Sequence, residues 1–416
     1  MDRYDSYKAS GIEWVGEIPS HWNRLRLKHT VLCSGGSFID GDWIEAKDIS
    51  EEGIKYLTSG NVGVITYKEQ GSGYITQDTF EKLGCLDVYA GDILISRLNE
   101  PISRACIVPE LNSRIVTCVD NVIYRPDKSI FDYRFVVYTL NNRYYTEHAN
   151  LIARGTTMHR ISRTTLGGLS IPVPTLAEQQ AIADWLDKKC GEIDRVIEKQ
   201  SKRIELLEEL KQSVITQAVT HGLNPNVALK KSGIEWIGEI PEHWEVAPLK
   251  RYMKFNNGQD YKEFQAEEGY PVMGSGGCFA YATKYLYDGE AVLLGRKGTI
   301  DKPLYVNEKF WSVDTMFYAT PKKDTFVKFM YYVAKTIPFN RYSTATALPS
   351  MTQTDLGNHI VAIPPRIEQF NIATYLDTET AKIDAQIAKV NKEIELLQEY
   401  KQSIITEVVT GKRKVC

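Results

Sequence analysis

Two histidines stand in nearly identical surroundings. His21 closes the phrase SGIEWVGEIPSHW (Ser10 to Trp22) and His243 closes SGIEWIGEIPEHW (Ser232 to Trp244), with 11 of 13 positions identical. A duplicated histidine could be a duplicated acid–base or metal site. Such a site needs partners at ligand spacing, and no cysteine or carboxylate is repeated close by. A structural role is the better reading. No G-x-S-x-G elbow, H-E-x-x-H helix or Walker A loop occurs. The glycine-rich LTSGNVG (Leu57 to Gly63) and VMGSGG (Val272 to Gly277) miss the phosphate-loop spacings and read as hairpin turns. IPPR (Ile363 to Arg366), the nearest approach to an adenine-methyltransferase box, reads as a helix-start turn. The chain reads as a binder without its own chemistry.

What it could bind is suggested by segregated cations. Residues 134–163 carry Arg134, Arg143, Arg154, Arg160 and Arg163 against Glu147 alone. Residues 322–350 carry Lys322, Lys323, Lys328, Lys335 and Arg341 against Asp324 alone. Cations beside Gly, Thr, Ser and Asn suit a nucleic acid: the charges take phosphates, and short polar side chains and arginine reach base edges. Two further strands, GDILISR (Gly91 to Arg97) and GEAVLLGRKG (Gly289 to Gly298), leave an arginine at their exits. The expected contacts are Arg97, Arg154, Thr156, Thr157, Arg160 and Arg163 in the first block, and Arg296, Lys297, Arg341, Thr344 and Ser350 in the second. Phe135, Tyr138, Phe329 and Tyr332 are expected to be helix core.

The elements that must position these groups come in two copies. A second repeat pairs Leu176–His221 with Arg366–Gly411, with 23 of 46 positions identical. Its offset is 190 residues, against 222 for the tryptophan phrase, so the first intervening block is longer by 32. A period this long means two domains on one plan, not a solenoid. Heptad positions in the helical repeat form an apolar seam. In the first copy it includes Leu186, Ile193, Ile197, Ile204, Leu207 and Val214; in the second, Leu376, Ile383, Ile387, Ile394, Leu397 and Ile404. Lys211 and Lys401 interrupt it at matching positions. A helix of this length is about 65 Å long, and a seam sustained over several heptads calls for a partner helix. Thr175 and Glu178 fit a capping box at the first helix start.

Bulk properties add little. With 416 residues, 43% hydrophobic, a net charge of −3, seven cysteines without a C-x-x-C pair and a polar N-terminal stretch, a cytoplasmic, non-membrane, disulfide-free protein of two or more domains is expected.

The doubled SGIEW-GEIP-HW, the doubled EQ--IA--LD----ID--I, GTTMHRISRTTLGGLSIPVPTLAEQQ with its echo ATALPSMTQTDLGNHIVAIPPRIEQF, and the IELL-E-KQS-IT--VT helix ends span nearly the whole chain. In that order and twice over, they resemble the specificity subunit of type I restriction–modification enzymes. The resemblance implies an α/β protein: two target recognition domains of mixed α/β fold, joined by two long helices in an antiparallel coiled coil, with an internal pseudo-twofold repeat. Recognition domains are expected at 1–174 and 232–364, long helices at 175–221 and 365–411, and a linker at 222–231. Each domain would read one half of a bipartite site on double-stranded DNA, and the helix pair would set the gap. Two modification subunits binding S-adenosylmethionine and two ATP- and Mg-dependent restriction subunits would be partners, with no cofactor or catalytic site in this chain. The alternatives are a coiled-coil scaffold joining two protein- or ligand-binding domains, or an enzyme with an unrecognised site.

Overall fold

The computed structural model describes residues 3–31, 36–71, 73–155, 159–322, 325–342 and 350–415. Each helical repeat folds as one uninterrupted helix, α1 (Leu176–His221) and α2 (Arg366–Val409). The heptad seam is the covered face. Leu186, Ile193, Leu376, Ile383 and Ile404 are buried, and Ile197, Ile204, Leu207, Val214, Ile387, Ile394 and Leu397 are half-buried. Half-burial is what a two-stranded coil gives, because solvent reaches the seam from both sides. No helix among the described residues is long and apolar enough to cross a membrane. Cys85, Cys106, Cys118, Cys190 and Cys278 are free thiols.

Contacts gather the chain into two compact units, Met1–Lys199 with Glu393–Cys416, and Gln200–Lys392. Each unit therefore holds one mixed α/β domain, the start of the helix that follows it and the end of the other helix. The helix segments run antiparallel within each unit. In the first, Ile182 and Leu186 share a core with Ile405 and Val409, while Asp194 further along α1 meets Lys401 earlier on α2, at 2.7 Å. In the second, Lys211 meets Asp384 at 2.8 Å. These are the same two residues of the repeat with roles exchanged, so the lysines that interrupt the seam also pin its register. Burial pulls the Lys211 ammonium down, but the bonds to Asp384 and Glu208 outweigh it and hold the group above its ordinary value.

The two domains share a sheet that their sequences do not announce. In the first, strands β1 (Ser37–Asp40), β2 (Ile93–Ser96), β3 (Ala105–Ile107) and β4 (Asn121–Arg125) lie in the order β1-β4-β2-β3. In the second, β5 (Met253–Asn257), β6 (Tyr287–Gly295), β7 (Leu304–Ser312) and β8 (Met316–Pro321) lie in the order β5-β8-β6-β7. All neighbours are antiparallel. The second sheet continues to seven strands, while the first domain keeps a separate three-stranded sheet. VMGSGG closes a hairpin, as expected, whereas LTSGNVG leaves its strand in a one-turn 3-10 helix.

The repeated phrases do not run fully extended. Ser10 donates its backbone N–H to Gly16 at 2.8 Å, closing a loop between short strands Tyr7–Ala9 and Glu17–Pro19. Ile12 and Ile18 stay buried, and Trp14 packs half-buried against the same core, edge-on to Tyr145. Trp236 is 41% exposed and stacks on His359 instead. The anchors are the closing tryptophans, Trp22 and Trp244, 0% and 1% exposed. Burying each is worth roughly 4–6 kcal/mol at about 25 cal/mol per Å2. An added Cβ at Gly411, just past α2, would come within 3.2 Å of Trp22; one at Gly222, just past α1, within 3.2 Å of Trp244. Both glycines cap their helices with positive φ, 73° and 76°.

The start of each helix completes the attachment. Glu178 closes the predicted capping box with Thr175 and accepts from Trp22 Nε1 at 3.3 Å, with His21 Nε2 at 2.9 Å. Glu368 meets Trp244 Nε1 at 3.0 Å and His243 Nε2 at 2.7 Å. The next residue is a buried glutamine in both copies. Gln179 accepts from Asp132 N–H at 3.1 Å and donates to Pro174 at 3.0 Å; Gln369 accepts from Phe326 N–H at 2.8 Å and donates to Pro364 at 2.9 Å. Thereby each holds the start of an aromatic helix, Tyr133–Leu140 or Val327–Ala334. The hydroxyls of Tyr138 and Tyr332 donate to Asp187 and Asp377, both at 2.8 Å. Phe135, Tyr138, Phe329 and Tyr332 are core, as expected.

Trp244→Ala should lower stability by about 3–5 kcal/mol in urea unfolding. At Glu178 burial pushes the carboxyl up, but the bonds from His21 and Trp22 outweigh it and hold it below the ordinary range. A carboxyl depressed by folding contributes stability above its unfolded value, about 4.3, and that stability is lost as pH falls through the lower folded value. Glu178→Gln should flatten this part of the acid limb when unfolding is followed against pH.

Candidate nucleic-acid interface

The strand exits and the basic segments, singled out separately in the sequence, meet in both domains. In the first, β2 ends at Ser96 and its exit passes beside Arg154 and Arg160, whose backbones exchange two hydrogen bonds of 2.9 Å. Ile161 donates to the Arg97 carbonyl at 3.0 Å, and Asn99 to that of His159 at 3.1 Å. In the second, Met351 donates to the Arg296 carbonyl at 3.0 Å, and Lys297 bridges to Ser350. The exits are also held from the other side by equivalent bonds: Arg97 N–H to Asp120 and Arg296 N–H to Thr315, both 2.8 Å.

The first-domain exit loop is organised from beneath by Arg104, which the charge pattern did not single out. Its buried guanidinium donates to the carbonyls of Ser59, Val62, Leu98, Asn99 and Pro101 at 2.7–3.3 Å. All three guanidinium nitrogens are used: Nε meets Val62, Nη2 meets Ser59, and Nη1 is shared among Leu98, Asn99 and Pro101. Its isolation in the sequence gave no signal, because its partners are main-chain atoms.

Around that loop, three of the expected contacts come together with two carboxylates. Arg97 lies 3.1 Å from Asp40, Arg163 3.5 Å from Asp40, and Arg160 2.8 Å from Asp120. Arg97 is 5% exposed and also donates to the Ile161 and Val119 carbonyls. Burial pulls its guanidinium below the ordinary value, with Asp40 and Asp120 opposing and Arg160 and Arg163 reinforcing. That placement makes Arg97 a strut of the loop, its charge turned inward. Arg160 and Arg163 keep 43% and 44% of their side chains exposed. Arg154 is exposed and carries no ion pair among the described residues. Thr156 and Thr157 lie outside the described residues.

In the second domain, Lys297 is exposed and Arg296 half-buried, its guanidinium 3.4 Å from the Asp314 carbonyl. Arg341 lies 5.4 Å over the ring of Trp236, which stacks on His359 at 5.7 Å. Burial pushes the His359 imidazole down to about 4; its Nδ1 lies 2.6 Å from the Tyr342 hydroxyl. Ser350 is half-buried at the bridge to Lys297, and Thr344 lies outside the described residues.

The basic segments are not wholly free for a ligand, contrary to what their charge count suggests. Arg134 pairs with Asp184, Asp187 and Asp132 at 2.7–3.1 Å, and Lys328 with Asp377 at 2.7 Å. Arg143 pairs with Glu147 at 2.7 Å. Part of the segregated charge therefore fastens the aromatic helices to α1 and α2. In the first domain the cations that remain, Arg154, Arg160 and Arg163, lie around the exit loop.

Residues 38–208 and 241–396 match the family model described as the type I restriction modification DNA specificity domain. A Methanocaldococcus jannaschii protein, assigned by name as the specificity subunit of the MjaX type I restriction enzyme, is 28% identical over 96% of both chains. The specificity subunit of the Escherichia coli enzyme EcoKI is 20% identical over 70% of this chain and 67% of its own. A solved structure from work on assembly and conformational transition of the type I R-M system superposes with a TM-score of 0.70. It is 15% identical and covers 94% of this chain and 98% of that one, a likeness of fold.

Replacing Arg104 by Ala should destabilise the first domain by about 3 kcal/mol or more, since several buried carbonyls lose their donor. Arg154→Ala should stay within about 0.5 kcal/mol of the parent in the same denaturant titration.

Proposed function

Because this chain belongs to the type I restriction–modification specificity family, we propose that each of its domains reads one half of a split site on double-stranded DNA. The single observation that carries this reading is the paired loop: in both domains a strand exit and a cation-bearing segment are bonded at the same place. A surface of this kind can set cations against phosphates and planar donors against base edges. The continuous helices α1 and α2 act as the spacer that sets the gap between half-sites. The duplicated scaffold offers equivalent faces to two identical modification subunits, and two restriction subunits complete the complex.

In this reading the chain has no catalytic site. It directs adenine methylation and restriction by its partners in the cytoplasm, with S-adenosylmethionine bound by the modification subunits and ATP with Mg by the restriction subunits. Arg154, Arg160, Arg163, Lys297 and Arg341 are the side chains best placed to meet DNA.

Methylome sequencing of cells with and without the gene, its modification partner being present, should reveal a split adenine-methylation motif that disappears with the gene. An unchanged methylome would refute the assignment. Duplex binding by the assembled modification complex should fall steeply with salt, and Arg154→Ala should lower the slope of log K against log salt by about 1 if it meets a phosphate.

A further inference from the structure

The shared sheet makes the two reading loops comparable residue by residue, beyond the short echo that their sequences share near the ends of the blocks. Four backbone hydrogen bonds set the equivalence. Gly41 N–H to Asn121 (2.9 Å) matches Gly258 N–H to Met316 (3.0 Å), and Asp42 to Thr117 matches Gln259 to Ser312, both 2.8 Å. The Arg97 and Arg296 bonds to Asp120 and Thr315, and the Ile161 and Met351 bonds to those arginines, complete the set. Asp40 then corresponds to Asn257, Asp120 to Thr315 and Arg160 to Ser350. Ser162 and Thr352 each cap a short helix, so Arg163 corresponds to Gln353. Arg97 alone keeps an arginine, Arg296. At the other four places the first domain has charge and the second has none.

The charges in the first domain are paired, and that bears on what they read. A cation meant for phosphate gains nothing from a carboxylate beside it, since the carboxylate repels the same phosphate. A guanidinium meant for a base edge gains direction. The Asp120 carboxylate lies 2.8 Å from Arg160 Nη2, an ion pair that tethers one end of a guanidinium whose side chain stays 43% exposed, so its other N–H groups are free to make two bonds to guanine O6 and N7. Asp40 lies between Arg97, at 3.1 Å, and Arg163, at 3.5 Å, so a second carboxylate stands beside the Arg163 charge.

Resting on the DNA-reading function above, we propose that Arg160 determines specificity for a guanine in the first half-site, with Asp120 as its positioning residue. The second domain makes no such demand at the equivalent place, where Ser350 stands. The two half-sites are thus read by different chemistry through one loop geometry.

The test is methylome sequencing of cells carrying the full-length chain and its modification subunits, comparing the parent with Asp120→Ala, Arg160→Lys and Ser350→Ala. The expected result is loss of one guanine requirement, in one half-site only, for both Asp120→Ala and Arg160→Lys. Discrimination at that position should fall roughly 10- to 100-fold. Arg160→Lys keeps the charge and removes the planar fork, so its relaxation separates direction from attraction. Ser350→Ala should leave that guanine required. Should Asp120→Ala fail to accumulate, Asp120→Asn supplies the same readout. A parent motif unchanged in Arg160→Lys, or relaxed in both halves by Asp120→Ala, overturns the inference while the DNA-reading function stands. A parent with no split motif removes that function and the inference with it.

Discussion

The adjacent Glu and Gln that open each long helix are the attachment on which the rest of the molecule depends. One carboxylate receives the indole of the repeated phrase and meets its histidine. One buried amide fixes the start of the aromatic helix and the proline before its own helix. Together with the Tyr138–Asp187 and Tyr332–Asp377 bonds, they set how each domain sits on its helix. Helix starts suit such a joint, because their unsatisfied N–H groups favour a carboxylate there, and that carboxylate is available to bind a second partner.

This explains which residues are duplicated. Trp22 and Trp244, Glu178 and Glu368, Gln179 and Gln369, Asp187 and Asp377 all lie at domain-to-helix joints, and each makes the same bonds in both copies. Lys211 with Asp384, and Lys401 with Asp194, join helix to helix. The blocks between these joints carry the reading loops. A joint must fit a fixed partner within the chain, whereas a reading loop answers to an external one, and so the two parts differ in how freely they vary.

Legibility in the sequence followed the range of the interaction. The seam, the capping box and the two helices are marked by patterns that recur every few residues, so they could be read from local sequence although the seam's partner lies far along the chain. The segregated cations were visible, yet their division was not: Arg134 faces Asp184 and Asp187 some fifty positions away, and nothing in its local pattern distinguishes it from Arg154. Arg97 looked like a free cation at a strand exit because Asp40, Val119 and Ile161 approach it only after folding. Within SGIEW-GEIP-HW the residue order does not distinguish the two tryptophans; folding buries Trp22 and Trp244, leaves Trp14 half-buried and leaves Trp236 exposed.

The sequence by itself determined the duplication, the two helices with their seam, and the family, since each is a pattern of identities and periods along one dimension. Tertiary structure decided which cations face outward and which are struts, and it paired each strand exit with its basic segment. It also made the two unmatched blocks comparable, through backbone hydrogen bonds that leave no trace in side-chain identity. The physical reason is the same in each case: main-chain partners and long-range ion pairs depend on position in space, and the order of residues encodes that only through the fold.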